Sequence, residues 1–324
     1  MAHFFLKLNL IFLLSFFVGG CASLRKPFFY EISRNTERAY LLGTIHIGVP
    51  LDVFPSVVLE KFDESSQIGI EVDPFDPQSL KKEMRLNQAE YSIVQKAARN
   101  VLAQNNKSLG NNHSKNNLRL SQRISSENWN YIKDLFLPFF KEESIIQSFS
   151  PATAFYLLVV LQPPETEIFS VFDDVGDIES SMDLNLLERA RQQEKKITFL
   201  DGSGNLLSEN CRDHLYEQYM TDWIRYRGKN MSSHMNSMRS AYRTGREERL
   251  KAELEFQLSQ PLLQCLLSER NKKWVTVIES EVREANQKNL TPPFYAFGAG
   301  HLIGPEGVLE LLRMNGFTVR RVNR

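Results

Sequence analysis

Two short apolar segments near opposite ends of the chain run into the same four-residue step. Leu41-Leu42 leads into Gly43-Thr44-Ile45-His46, and Tyr295-Ala296-Phe297 leads into Gly298-Ala299-Gly300-His301. Each segment reads as a strand, and the glycine that follows permits a sharp turn or a close backbone approach. In an open α/β sheet, such strand ends form the rim where ligands bind. A histidine three residues past the glycine stands over that rim, where its neutral imidazole can take a metal ion or move a proton. One Gly-x-x-His is a weak signal. Two of them, both at expected strand ends, are a strong one.

Between them, Gln67-Ile68-Gly69-Ile70-Glu71-Val72 reads as another short strand, closed by Asp73-Pro74. A carboxylate at the end of an apolar strand is costly unless it is paired. A cation, a catalytic role or a salt bridge to an arginine would each account for Glu71. Two imidazoles and a carboxylate, with positions open to water, form a familiar ligand set for a catalytic divalent ion. Zn, Mn, Co and Fe suit His46, His301 and Glu71 about equally. Were Glu71 the general base instead, the ion would need another ligand such as Asp73.

The rest of the chain alternates strands with helices. Phe28–Ser33 and Ala39–Ile45 read as strands around the turn Arg34-Asn35-Thr36, followed by a helix over Ser56–Ser66. Further helices are expected over Gln78–Gln104, Ser126–Phe136, Ala152–Leu161 and Asp183–Gln193, and Lys196–Leu200 is a strand. The pattern is helical from Cys211 to Leu267, with breaks near Gly228 and Thr244-Gly245; Glu269–Ala285 is a separate helix. Strand Phe294–Phe297, helix Gly307–Asn315 and strand Phe317–Val322 close the chain. This order predicts an α/β fold, a mixed or parallel sheet flanked by helices. Helical material at about 75–170 and 205–265 exceeds what crossovers need and is expected to form a lobe at the sheet edge. Residues 104–117 are Asn-rich and low in complexity, a surface loop.

The start of the chain differs in kind. Leu10–Val18 is apolar apart from Ser15, with Lys7 ahead of it and Gly19-Gly20-Cys21 behind. That run is too short for a transmembrane helix and suits a signal peptide, and the small residues before Cys21 resemble a bacterial lipobox. The expected organisation is a lipoprotein signal peptide over 1–20, an acylated Cys21 opening a tether over 21–27, and one α/β domain over 28–324. The protein is expected to be exported and lipid-anchored, on the outer membrane or periplasmic face in a Gram-negative cell. Cys211 and Cys265 remain: export permits a disulfide, yet sequence separation cannot show whether the sulfurs meet. With 39 Lys+Arg against 39 Asp+Glu, there is no basic excess for nucleic acid.

Other candidates are weaker. His113 lies in the Asn-rich loop, and His214 and His234 sit in helical stretches. Asp173-Asp174 with Asp177 and Glu179 lacks EF-hand spacing. The mixed charges of Arg239–Glu255 read as an exposed helix face, and neither Gly-x-Ser-x-Gly, a nucleotide-binding glycine fingerprint nor His-Glu-x-x-His occurs.

Leu42-Gly43-Thr44-Ile45-His46, Ile70–Pro74, Glu269-Arg270-Asn271 with Trp274, and Gly298–Gly307 together resemble the TraB/PrgY/GumN family, which includes the TIKI proteins that proteolyse Wnt ligands. The resemblance runs from about 28 to 322. It implies an α/β fold distantly similar to erythromycin-esterase and haem-binding ChaN-like proteins, with a site at His46, His301 and Glu71. It further implies Arg270 as a substrate-carboxylate or charge-stabilising group, supported by Gly43, Asp73, Gly298 and Gly300. The chain departs from the family at Leu200-Asp201, where a glutamate is usual, which puts an inherited ligand role there in doubt. The implied activity is a metal-dependent hydrolase, a peptidase acting on peptide or small-molecule substrates. The alternative is a non-catalytic envelope lipoprotein that binds a peptide or a haem/iron ligand.

Overall fold

The computed structural model describes residues 26–45, 51, 54–71, 118–161, 182–201, 211–226 and 231–322. Cys21, His46, Asp73, the expected helix over 78–104, the Asn-rich loop, the acidic cluster at 173–179 and the break at Gly228 lie outside these residues.

Six strands form one mixed sheet: β1 (Phe29–Arg34), β2 (Glu37–Thr44), β3 (Gln67–Ile70), β4 (Lys196–Phe199), β5 (Phe294–Gly298) and β6 (Thr318–Arg321), in the order β4-β3-β5-β2-β1-β6. The four strands β4, β3, β5 and β2 are parallel, while β1 is antiparallel to both β2 and β6. The hairpin accounts for the departure from an all-parallel sheet. Only Asn35 and Thr36 separate β1 from β2, far too little chain for a crossover, and Asn35 takes the positive φ of 55° that the tight turn needs.

The helices among the described residues are α1 (Ser56–Glu64), α2 (Leu120–Arg123), α3 (Ser126–Phe140), α4 (Glu143–Gln147), α5 (Pro151–Leu161), α6 (Met182–Gln192), α7 (Asp213–Tyr226), α8 (Met231–Thr244), α9 (Glu247–Ser259), α10 (Pro261–Gln287) and α11 (Val308–Met314), with a 3₁₀ turn over Ala299–Leu302. None is long and apolar enough to cross a membrane. The main core joins the sheet to its helices through Phe62, Ile68, Trp274, Ile278, Phe294 and Phe297, all fully buried. A second core, including Trp129, Ile132, Phe136, Leu157 and Met220, belongs to α2–α5 and α7.

Helices α2 and α4 and the break at Gln260 go beyond the sequence expectation, and two helices run on where it places an end. The break foreseen between Leu267 and Glu269 does not occur, and α10 runs unbroken for 27 residues. Pro261 opens it at the first turn, where a missing N–H is harmless, and no glycine or proline follows within it. Its buried stripe includes Ser268 and Asn271, polar residues that look like an interruption in sequence. The second is α3, which continues past Phe136 through Pro138 and ends where Lys141 turns left-handed at φ 62°. Cys211 and Cys265 are bonded, with Cα atoms 5.9 Å apart. The bond ties the chain just ahead of α7 to the first half of α10.

Candidate active site at the strand-end rim

The parallel strands β2 and β5 bring the beginnings of the two Gly-x-x-His steps side by side. Gly43 is in register with Phe297, and Thr44 with Gly298. A Cβ on Gly43 would lie 2.5 Å from Leu302 Cδ1 and 3.1 Å from Ala299 Cα, so glycine is what lets β2 pass against the 3₁₀ turn carrying His301. The first step is secured from below. Tyr242 OH donates to Gly43 O at 2.7 Å, Thr44 Oγ1 donates to Asp183 Oδ1 at 2.7 Å, and Ile45 N–H reaches Met182 Sδ at 3.5 Å. Burial, reinforced by the Asp183 charge, pushes the Tyr242 hydroxyl well above its ordinary pKa, so it stays a donor. His46 follows one residue beyond Ile45.

Glu71 follows β3, whose last residue Ile70 is in register with Ala296 on β5 and Phe199 on β4. Its Oε2 accepts the Gly298 N–H at 3.1 Å, and its Oε1 pairs with Arg270 Nη2. Of the three explanations open for this carboxylate in sequence, the arginine pair is present. Arg270, on α10, also meets Asp201 through Nε at 3.2 Å and Nη2 at 2.7 Å. Burial by itself would lower the Arg270 pKa, but the two carboxylates outweigh it and the net direction is up. Asp201 is held in turn by the Trp274 indole N–H at 2.7 Å, and Lys273 Nζ donates to its carbonyl at 2.8 Å. The shorter side chain at position 201 thus serves as the anchor of Arg270.

His301 is 5% exposed and lies against the Trp274 ring, centroids 4.3 Å apart. Its tautomer follows from its neighbour. Asn271 Nδ2 donates to Glu306 O at 2.8 Å, which leaves Asn271 Oδ1 facing His301 Nδ1 at 2.6 Å. An amide oxygen only accepts, so Nδ1 carries the proton and Nε2 keeps its lone pair. That lone pair faces Arg270 Nη1 at 3.4 Å and lies 3.7 Å from Glu71 Oε1.

This chemistry fits a divalent ion in part. An unprotonated imidazole nitrogen and a carboxylate oxygen 3.7 Å apart can both reach one ion at roughly 2.0–2.2 Å, and the Nδ1–H bond to Asn271 is the kind of outer partner that fixes a ligating histidine. An ion there would have to compete with Arg270, whose Nη2 bonds Glu71 and Asp201 alike and whose Nη1 faces His301 Nε2. Among the described residues no group of three or more His, Cys, Asp or Glu forms a metal cluster; His46 and Asp73 lie outside them.

Of the site residues expected from sequence and family resemblance, Glu71, Arg270 and His301 converge, with Gly43 and Gly298 beside them, while His46 and Asp73 lie outside the described residues. Gly300 meets no crowding, since an added Cβ would be 3.6 Å from Leu254 Cδ1. The orienting role of Asn271 and the anchoring roles of Asp201 and Trp274 went unread. Arg270 and Trp274, four residues apart on one helix face, were the one local hint. His214 is exposed on α7, away from any of these contacts.

The model of the TraB/PrgY/gumN family matches residues 28–321, most of the chain. No curated protein and no solved structure matches.

Proposed function

Because the chain belongs to the TraB/PrgY/gumN family and brings His301 Nε2 within 3.7 Å of the strand-end Glu71 carboxylate, we propose that it is a lipid-anchored, metal-dependent hydrolase of peptide bonds. The observation that carries the reading is the convergence of His301 Nε2 and Glu71 Oε1 at 3.7 Å, with the imidazole tautomer set by Asn271. His46, His301 and Glu71 would hold the ion. When bound, the ion supplies Lewis acidity and lowers the pKa of a water.

The protein's own groups account for the rest. Glu71 is fixed in place by the Gly298 N–H on its Oε2. The Arg270 guanidinium, fixed by its fork on Asp201, faces the same point and can offset negative charge on a carbonyl oxygen as it develops. Water adds across the C–N bond, leaving a carboxylate and an amine. Acylation of Cys21 is supported by the apolar leader and the small residues before it. Export is supported by the Cys211–Cys265 bond, since disulfides persist in oxidising compartments.

The test is a peptide-library cleavage assay on the purified protein and on Glu71→Gln, which keeps the side chain's shape. The expected result is metal-stimulated cleavage that falls at least about tenfold in the variant, the low end of what disturbing a metal site's partners produces. Tight retention of a peptide or haem with no cleavage in either protein would overturn the enzyme reading and favour a binding lipoprotein.

A further inference from the structure

Residues Lys26–Phe28, the first described stretch of chain, are clamped to the body. Arg321 donates to Lys26 O at 2.8 Å and to Pro27 O at 3.0 Å, and Phe28 O accepts the Gly43 N–H at 2.8 Å. Phe28 is fully buried against Tyr242, ring centroids 5.3 Å apart. On the other side lies Gly245, at φ +64°, where an added Cβ would sit 2.0 Å from Lys26 O. The base of the N-terminal segment is therefore a fixed point on the fold.

That point lies on the same rim as the site. Because β1 is antiparallel to β2, its beginning sits at the carboxyl end of β2: Phe29 is in register with Leu42, Leu42 with Ala296, Ala296 with Ile70, and Ile70 with Phe199. One step beyond this row stand Phe28 on one side and Glu71 on the other, with Gly298 two residues past Ala296 between them. With strands about 4.8 Å apart, β1 is only about 10 Å from β5 across the sheet. The opposite edge holds the Asn35 turn and the chain at Lys288 that leads into β5, roughly 25 Å away along an eight-residue strand.

We infer that the site opens onto the bilayer that holds Cys21, and that its substrates are peptide segments lying at that surface; the inference rests on the lipid-anchor and peptidase readings above. Five residue steps from Cys21 to Lys26 reach at most about 18 Å, less than the height of the sheet. So short a lead starting from the rim keeps the rim, and not the Asn35 edge, against the headgroups.

The experiment uses the whole chain on vesicles of phosphatidylethanolamine and phosphatidylglycerol with an acceptor dye on the headgroups. A donor dye is placed through p-azidophenylalanine at Arg246 or Glu306 on the rim, or at Asn35 or Lys288 on the far edge. Mass spectrometry of Cys21 reads the anchor separately. An unacylated cysteine refutes that reading alone, because a maleimide lipid coupled to its thiol still allows the orientation to be measured. Energy transfer is expected to be severalfold higher from the rim positions, and a 30-residue Gly/Ser insertion between Ser23 and Leu24 should level the four. Equal transfer from both edges, or a difference that survives the insertion, overturns the orientation. With cleavage in hand, the insertion should slow hydrolysis of a vesicle-bound peptide and spare the same peptide free in solution; equal rates on the bound peptide overturn the substrate class.

Discussion

Asn271 decides which nitrogen of His301 carries the proton, and so decides what His301 can do. Its amide is held by Glu306 O on one side and meets Nδ1 on the other. Replacing Asn271 with Leu removes the acceptor while keeping the volume, and strands a buried N–H. The fold should lose about 1–3 kcal/mol, read by urea denaturation, and the ¹⁵N shifts of His301 should move from one tautomer toward a mixture. Unchanged shifts would mean that the tautomer is set elsewhere. Little of this was legible in sequence. Glu71, His301 and Gly43 are legible because each lies at or just past the end of an apolar strand. The links that assemble them join residues far apart, Arg270 to Glu71 across 199 positions and Arg270 to Asp201 across 69, and no spacing rule encodes such pairs. A salt bridge to some arginine was foreseeable for Glu71, but not which arginine or what would share it.

At the scale of elements, periodicity located strands and helices well, because each strand is a short apolar run bounded by polar turns. It failed where a buried face carries polar residues. Ser268 and Asn271 lie on the inner stripe of α10, since that stretch faces the polar rim and not the main core. It was equally silent on the sense of β6, which depends on pairing with β1 and not on its own sequence. The clamp between α1 and α6 is a separate matter of charge. Asp63 accepts a fork from Arg189 Nε and Nη2 at 2.9 and 2.5 Å, and a bond from Gln193 at 2.8 Å. The Arg189 bond chiefly draws the Asp63 carboxyl below its ordinary pKa, against the opposing effect of burial. A depressed folded pKa stabilises the fold above the unfolded value near 3.9 and is lost as pH falls through the lower folded value. Because both side chains are more than a third exposed, solvent screening keeps the effect below about 1 kcal/mol. Asp63→Asn should therefore lower stability slightly at pH 7 and flatten its fall between about pH 4 and the lower folded pKa. A parallel offset at every pH, in denaturation midpoints across that range, would contradict the assignment.

The whole molecule is a sheet with a polar rim, a second helical core beside it, and a covalent tie between them. The Cys211–Cys265 bond closes a loop with a sequence separation of 54 residues, which includes α7, α8 and α9, and it lands on α10 five residues before Arg270. Closing such a loop restricts the unfolded chain, and its loss should cost about 2–4 kcal/mol. Thermal unfolding with and without reductant checks this; an unchanged midpoint with the thiols shown to be free would refute it. Sequence could supply the two cysteines but not their meeting, which depends on how α7 packs beside α10.

The central claim is that the two Gly-x-x-His steps and Glu71 form a single divalent-ion site. The most direct test is the metal content of the purified protein, by inductively coupled plasma mass spectrometry, beside His301→Ala and His46→Ala with circular dichroism confirming their folds. The native protein should hold about one equivalent of a divalent transition metal, and both folded variants should lose it. Full occupancy in either variant, or a native protein that takes up no ion when titrated with Zn, Mn, Co and Fe, would contradict it.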